Sequence, residues 1–145
     1  MYVLNINEDN MINSEKTPEP LGMYPHSRRA NNLIFLSGIG PHERGSKKVP
    51  GMTVDSQGRV ISYSIEEQCI AVFKNVNHVL EASGTKLDSL VDVTVFLTNL
   101  EKDFEVYNRV YREHFKNIRP CRTTIGCSAL PGGVAIELKC IAHIS

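Results

Sequence analysis

The stretch SIEEQCIAVFKNVNHVLEASG, residues 64–84, restricts the fold more than any other. Ser64 can cap a helix with Glu67 three residues on, and Gly84 can end it. Between them Ile65, Cys69, Val72, Phe73, Val76, Val79 and Leu80 recur at helical spacing, so the helix has one apolar face that must be covered. The cover is legible just downstream. LVDVTVFLT, residues 90–98, alternates in the manner of a strand, with Val91, Val93, Val95 and Leu97 on one face and Asp92, Thr94 and Phe96 on the other. A second helix over 102–115 offers Phe104, Tyr107, Val110 and Tyr111 to the same core, and Pro120 marks the end of the connection after it.

Around this centre, YPHSRRA and LIFLSGIG read as two strands turning at Ala30–Asn32. Residues 40–58, rich in Gly, Pro and charge, read as a long loop with room for one short strand before RVISYS. Two strands close the chain, about 122–128 and 134–143, joined through LPGG. Residues 1–17 are polar and lack a sustained period, which predicts a flexible arm before a single domain over 18–145. The predicted fold is α+β: a mixed sheet with two helices packed on one face.

That leaves the other face of the sheet. In the last strand Val134, Ile136, Leu138, Cys140 and Ala142 suit the helix side, while Ala135, Glu137, Lys139, Ile141 and His143 point away. Phe96 and Thr94 join the second set, together with either Arg122 and Thr124 or Thr123 and Ile125. A face that mixes Phe and Ile with single charges predicts burial against other copies of the chain.

With 16 basic and 16 acidic side chains the formal net charge is zero, which disfavours nucleic acid and anionic membranes as partners. No window reaches the roughly 18 apolar residues that a spanning helix needs, and the N-terminus lacks a secretory pattern, so a cytoplasmic protein is expected. Cys69, Cys121, Cys127 and Cys140 form no C-x-x-C pair and lie in apolar segments, as reduced, buried thiols would. The five histidines show no ligand spacing, and no metal site is expected.

Arg122 and Glu137 lie in RPCRTTIGCSALPGGVAIELKCIAHI, and here the chain resembles the reactive intermediate deaminase (Rid, YjgF-like) family, in which an arginine after a proline is followed by LP and an IE strand. LIFLSGIGP, VDVTVFLTNLEKDFEVYNRVYREHF and YPHSRRA fall in the family's order, so the likeness covers residues 18–144. It implies a chorismate-mutase-like fold and a homotrimer, with pairing into hexamers left open. It further implies sheets forming a central barrel, sites between subunits, and hydrolysis of 2-imino or enamine acids to 2-oxo acids and ammonia without metal or organic cofactor. Matched residue by residue, it implies that Arg122 binds the substrate carboxylate and that Glu137 handles water and protons. Tyr24, Ser37, Gly38 and Asn108 would line the pocket. The longer loop GIGPHERGSKKVPG, and His26, Arg28 and Arg29 in LGMYPHSRRA, resemble the 2-aminomuconate deaminase branch. Its dicarboxylate substrate, deaminated to 4-oxalocrotonate in aromatic-acid catabolism, would use one of these cations or Arg44 for its second carboxylate. Two alternatives stand beside this: a general 2-iminoacid deaminase, and a non-catalytic trimer or translation inhibitor.

Overall fold

The Ser64 hydroxyl accepts a hydrogen bond from the Glu67 N–H at 3.3 Å, and Gly84 follows the helix at φ 76°, in the left-handed region glycine enters freely. In the computed structural model, which describes residues 8–145, this helix is α1, Ile65–Ala82. All seven residues of its expected apolar face are buried. Among the described residues no helix is long and apolar enough to cross a membrane.

The strands are β1 (Met11–Ile12), β2 (Ser27–Ala30), β3 (Leu33–Leu36), β4 (Met52–Val54), β5 (Val60–Tyr63), β6 (Leu90–Leu97), β7 (Cys121–Gly126) and β8 (Ile136–His143). The second helix, α2, runs Leu100–Phe115, capped by the Asn99 side chain, which accepts from the Lys102 N–H at 3.1 Å. Six strands form one sheet in the order β1-β2-β3-β8-β6-β7, and β4-β5 form a separate hairpin. β6 and β7 run parallel, because α2 carries the chain back between them; the other pairs are antiparallel. Both helices pack on one face, where Phe73 of α1 meets Tyr111 and Phe115 of α2 at ring separations of 6.1 and 5.0 Å. Aromatic contacts of this kind contribute about 0.5–1.5 kcal/mol each beyond the area they bury.

Three expectations need correction. The alternation of LVDVTVFLT starts at Leu90, not Val91: the β6–β8 register shifts between Leu90 and Asp92, which buries Leu90 and leaves Val91 43% exposed. Phe104 is 40% exposed and reaches only the edge of the aromatic cluster, against Tyr107. Residues 40–58 hold one short strand, as the sequence allowed: Met52–Val54 pairs with Val60–Tyr63 across a turn in which the Asp55 carboxylate accepts from the backbone N–H groups of Gln57 and Arg59. Only Cys69 and Cys140 are buried thiols; Cys121 is exposed and Cys127 half-buried on the edge side of the sheet.

The arm expected over 1–17 divides. Residues 1–7 lie outside the described residues, and the later part is docked. Met11 and Ile12 pair with Arg28 and Ser27, and Ser14 and Thr17 are buried. The Arg44 guanidinium donates to the carbonyls of Ser14, at 3.3 Å, and Thr17, at 2.7 Å. Polarity of sequence did not prevent docking here, because backbone and side-chain hydrogen bonds replace the missing apolar face.

Candidate functional site

Two clusters on the sheet match the chemistry expected of the chain. The first centres on Glu137. Its strand neighbours Ile136 and Leu138 face the helices and are fully buried, so alternation turns Glu137 to the outer face, opposite Phe96 of β6. β3 pairs Phe35 with Ile141, and the chain next bridges Ile39 to Leu138. Four steps on one side thus span three on the other. This bulge carries Ser37 and Gly38 past Glu137. Ser37 is fixed by its N–H to the His26 carbonyl at 2.9 Å and by its hydroxyl, which donates to the Pro25 carbonyl at 2.7 Å. At Gly38 a Cβ would lie 2.9 Å from the Glu137 carboxyl carbon, so the absent side chain leaves the space the carboxylate fills. Among the described residues Glu137 forms no ion pair, and burial raises its pKa above the usual carboxylate value.

The second cluster centres on Arg122 at the sheet edge. β7 pairs Arg122 with Val93, a buried residue of the helix face, so Arg122 and Thr124 point towards α2, while Thr123 and Ile125 take the outer face. The guanidinium donates to the Asn108 side-chain carbonyl at 2.9 Å and lies 4.7 Å from the Tyr111 ring centre and 5.4 Å from that of Tyr107. Tyr107 is itself fixed by a 2.7 Å hydrogen bond between its hydroxyl and that of Thr124. One side of the guanidinium is thereby held, and its remaining N–H groups face an open groove of about 340 Å³ lined by Asn108, Tyr111, Phe115 and Arg122 among others. Such a fork matches a carboxylate.

The two clusters are not brought together within one chain. Arg122 lies on the helix face and Glu137 on the outer face, with β6 between their strands. Each chain therefore carries two separate clusters, one presenting a guanidinium and the other a desolvated acid.

The Endoribonuclease L-PSP family model matches residues 14–144. The chain belongs to this family, that of the Rid, YjgF and RutC proteins. Its relatives include reactive intermediate deaminase A, chloroplastic, of Arabidopsis thaliana. That protein is 37% identical over 92% of this chain, and the match spans 65% of the relative's length. The 2-iminobutanoate/2-iminopropanoate deaminase of Dermatophagoides farinae is 31% identical, with 92% of this chain and 95% of the relative covered. Among solved structures, the YjgF gene product of E. coli superposes with a TM-score of 0.79 at 28% identity. E. coli TdcF with bound serine gives 0.79 at 25%; each match covers 93% of this chain and 98% of the other. The expected chorismate-mutase-like α+β fold is therefore the fold of this Rid-family chain. One relative is named as chloroplastic and another, from yeast, as mitochondrial, so family membership does not carry the cytoplasmic location expected from sequence.

The remaining site residues of this Rid-family chain separate clearly. Tyr24 is half-exposed, two residues before His26, whose carbonyl holds Ser37; its hydroxyl accepts from the Leu21 N–H at 3.1 Å. His26, expected as a substrate cation, is 4% exposed with both ring nitrogens engaged: Nδ1 accepts from the Ser14 N–H at 2.9 Å, so Nε2 carries the proton and donates to the Pro18 carbonyl at 2.6 Å. It ties down the N-terminal segment instead. Arg44 is likewise committed to the Ser14 and Thr17 carbonyls and to Glu19. Arg28 shares the outer face with Glu137 but pairs with Phe35, and so with Ile141, about 13 Å further along β8 at strand rise. Arg29 is exposed and donates to the Asn31 carbonyl at 2.9 Å. Tyr111 is a wall of the groove that its sequence context does not mark, because its spacing on the helix reads equally as core; Tyr107 is fully buried.

Proposed function

We propose that the protein hydrolyses 2-imino and enamine acids to the corresponding 2-oxo acids and ammonia, in sites formed where neighbouring copies of the chain meet. The observation that carries this reading is the division of one complementary constellation between two faces. A prepared guanidinium fork and a desolvated carboxylate, each without an ion-pair partner among the described residues, can meet around one small ligand only if a second copy supplies one of them. Leu33 and Phe35, each 38% exposed, and Ile125, 40% exposed, support an outer face that is covered in an assembly. A homotrimer is the arrangement the family resemblance implies.

In this reading Arg122 holds the substrate carboxylate by two parallel N–H donations, with Asn108 setting the angle of the fork. An enamine first becomes an imine, whose C2 is electrophilic. Glu137 takes a proton from water as the water oxygen bonds to C2, and passes it to the imine nitrogen, giving a carbinolamine. Glu137 then takes the carbinolamine hydroxyl proton and passes it to the nitrogen, so that the C–N bond breaks, the C=O bond forms and ammonia leaves. Both protons of the water end on ammonia, and the carboxylate is restored. A carboxyl with a raised pKa suits both directions of transfer.

Support for imino acids as a class comes from the relatives named for reactive intermediates and for 2-iminobutanoate and 2-iminopropanoate. The narrower expectation, 2-aminomuconate, loses two of its proposed cations, because His26 and Arg44 are occupied by the protein itself. The deciding experiment generates 2-iminopropanoate in place with an amino-acid oxidase and follows 2-oxo acid and ammonia release. Wild type is expected to accelerate release, and Glu137→Gln and Arg122→Lys to lose most of the acceleration. Full activity in both variants would overturn the assignment. The family model's description raises RNA cleavage as a second reading, which zero net charge disfavours; cleavage persisting in an Arg122→Ala variant that lacks deaminase activity would favour it.

A further inference from the structure

The groove beside Arg122 contains more positive charge than one carboxylate needs. Arg112 and Lys116 follow Asn108 at four-residue intervals and so continue its stripe along the end of α2, and Arg119 lines the same cavity at the exit from the helix. Among the described residues none of these three, nor Arg122, forms an ion pair, and no carboxylate lines the cavity. Arg109, on the neighbouring stripe, is by contrast matched by Glu66 and Glu113. Unpaired cations also stand elsewhere on the chain, but here Arg112, Lys116, Arg119 and Arg122 line one cavity together.

The backbone at Arg119 adds an independent observation. Its φ is 52°, in the left-handed region where a bulky side chain is uncommon and glycine is favoured, and its N–H donates to the Phe115 carbonyl at 2.9 Å. Glycine would suit that turn better. What arginine adds there is a guanidinium on the groove wall.

We propose that this groove is a second anion subsite, and that the substrates preferred by the protein are 2-imino acids bearing another carboxylate on the side chain. The carboxylate next to the imine meets Arg122, and the distal one meets Arg119 and Lys116. A cleft lined by one sign of charge concentrates a dianion more than a monoanion, and the Tyr111 and Phe115 rings offer an apolar floor for the carbons between. The inference rests on the deaminase reading for the word substrate, but the subsite can be tested without turnover.

Two unreactive product-like probes, 2-oxoglutarate and 2-oxobutanoate, are titrated calorimetrically into the full chain, and kcat/KM is measured for the imines of glutamate and alanine made in place by oxidases. Wild type is expected to bind the diacid at least tenfold more tightly and to favour its imine by a similar factor. Arg119→Gly, which keeps the turn, combined with Lys116→Gln, is expected to bring both ratios close to one. Equal binding of the two probes by wild type, or a diacid preference that survives in the double variant, overturns the subsite. If the preference is present and lost as described while neither imine is hydrolysed, the subsite stands and the deaminase reading falls. Hydrolysis of both imines with no preference for the diacid leaves the deaminase reading standing and removes the subsite.

Discussion

The Glu137 carboxylate occupies the place where a side chain on residue 38 would begin: a Cβ built on Gly38 would lie 2.9 Å from the Glu137 carboxyl carbon and closer still to Oε1. The bulge between β3 and β8 aligns the two, and Ser37, bonded to the Pro25 and His26 carbonyls, keeps the bulge from moving away.

Gly38→Ala should therefore act on catalysis rather than on folding. Gly38 does not use the left-handed region, so alanine fits the backbone, and the added methyl displaces only the acid. A fall in kcat/KM of about tenfold or more is expected from a misplaced proton carrier, with a thermal midpoint close to wild type. Unchanged kcat/KM would show that the position of the carboxylate does not matter.

Burial disfavours the ionised form of Glu137, so its folded pKa lies above its unfolded one. Between the two values the folded state binds more protons, and stability falls as pH rises through that window; below the unfolded value both states are protonated and the penalty is absent. Glu137→Gln should accordingly melt higher than wild type at pH 7.5, with the difference shrinking towards pH 4. Melting curves across that range check the sign. A wild type that melts higher at pH 7.5 would mean the carboxylate is stabilised rather than desolvated.

Replacing Arg122 by Lys keeps the charge and removes the fork. The bond to Asn108 at 2.9 Å and the stacking on Tyr111 both depend on a planar guanidinium. A rise in KM of about tenfold to a hundredfold is expected, in line with loss of a charge-assisted pair. Asn108→Ala should raise KM in the same direction by less, because it frees the fork without deleting it. Steady-state kinetics of both variants separate binding from positioning.

His26→Ala should register in stability. It removes the acceptor of the Ser14 N–H and the donor to the Pro18 carbonyl in a buried setting, at a cost of about 1–3 kcal/mol. Urea denaturation measures it, and proteolysis should cut earlier near residues 14–18 than in wild type. A loss confined to KM would return His26 to the substrate.

Tyr63→Phe tests a second buried carboxylate. The Tyr63 hydroxyl donates to Asp103 at 2.7 Å, and Asp103 is 2% exposed at the start of α2. Removing the donor should destabilise the fold by about 1–3 kcal/mol, read from the urea midpoint.

Local pattern along the chain was enough to specify the two helices, the buried face of the first and the residue types available for chemistry, though on the second it misplaced Phe104. Helical and strand periods are local properties of Ile65 through Leu80 and of Val93 through Leu97, and burial follows whichever face is apolar. The same alternation put Glu137 on the outer face, because Ile136 and Leu138 left no other choice. The side on which Arg122 stands came instead from the assembled sheet. Cys121 through Gly126 lack an apolar alternation strong enough to fix it, and the parallel register with β6, Arg122 opposite Val93, turned the guanidinium towards α2. The bulges at Gly38 and Leu90, the docking of residues 11–17 by His26 and Arg44, and the gathering of Arg119 beside Arg122 have the same origin. Each depends on hydrogen bonds or contacts between segments distant along the chain, and such pairings are chosen by the geometry of the whole sheet rather than by the composition of either partner.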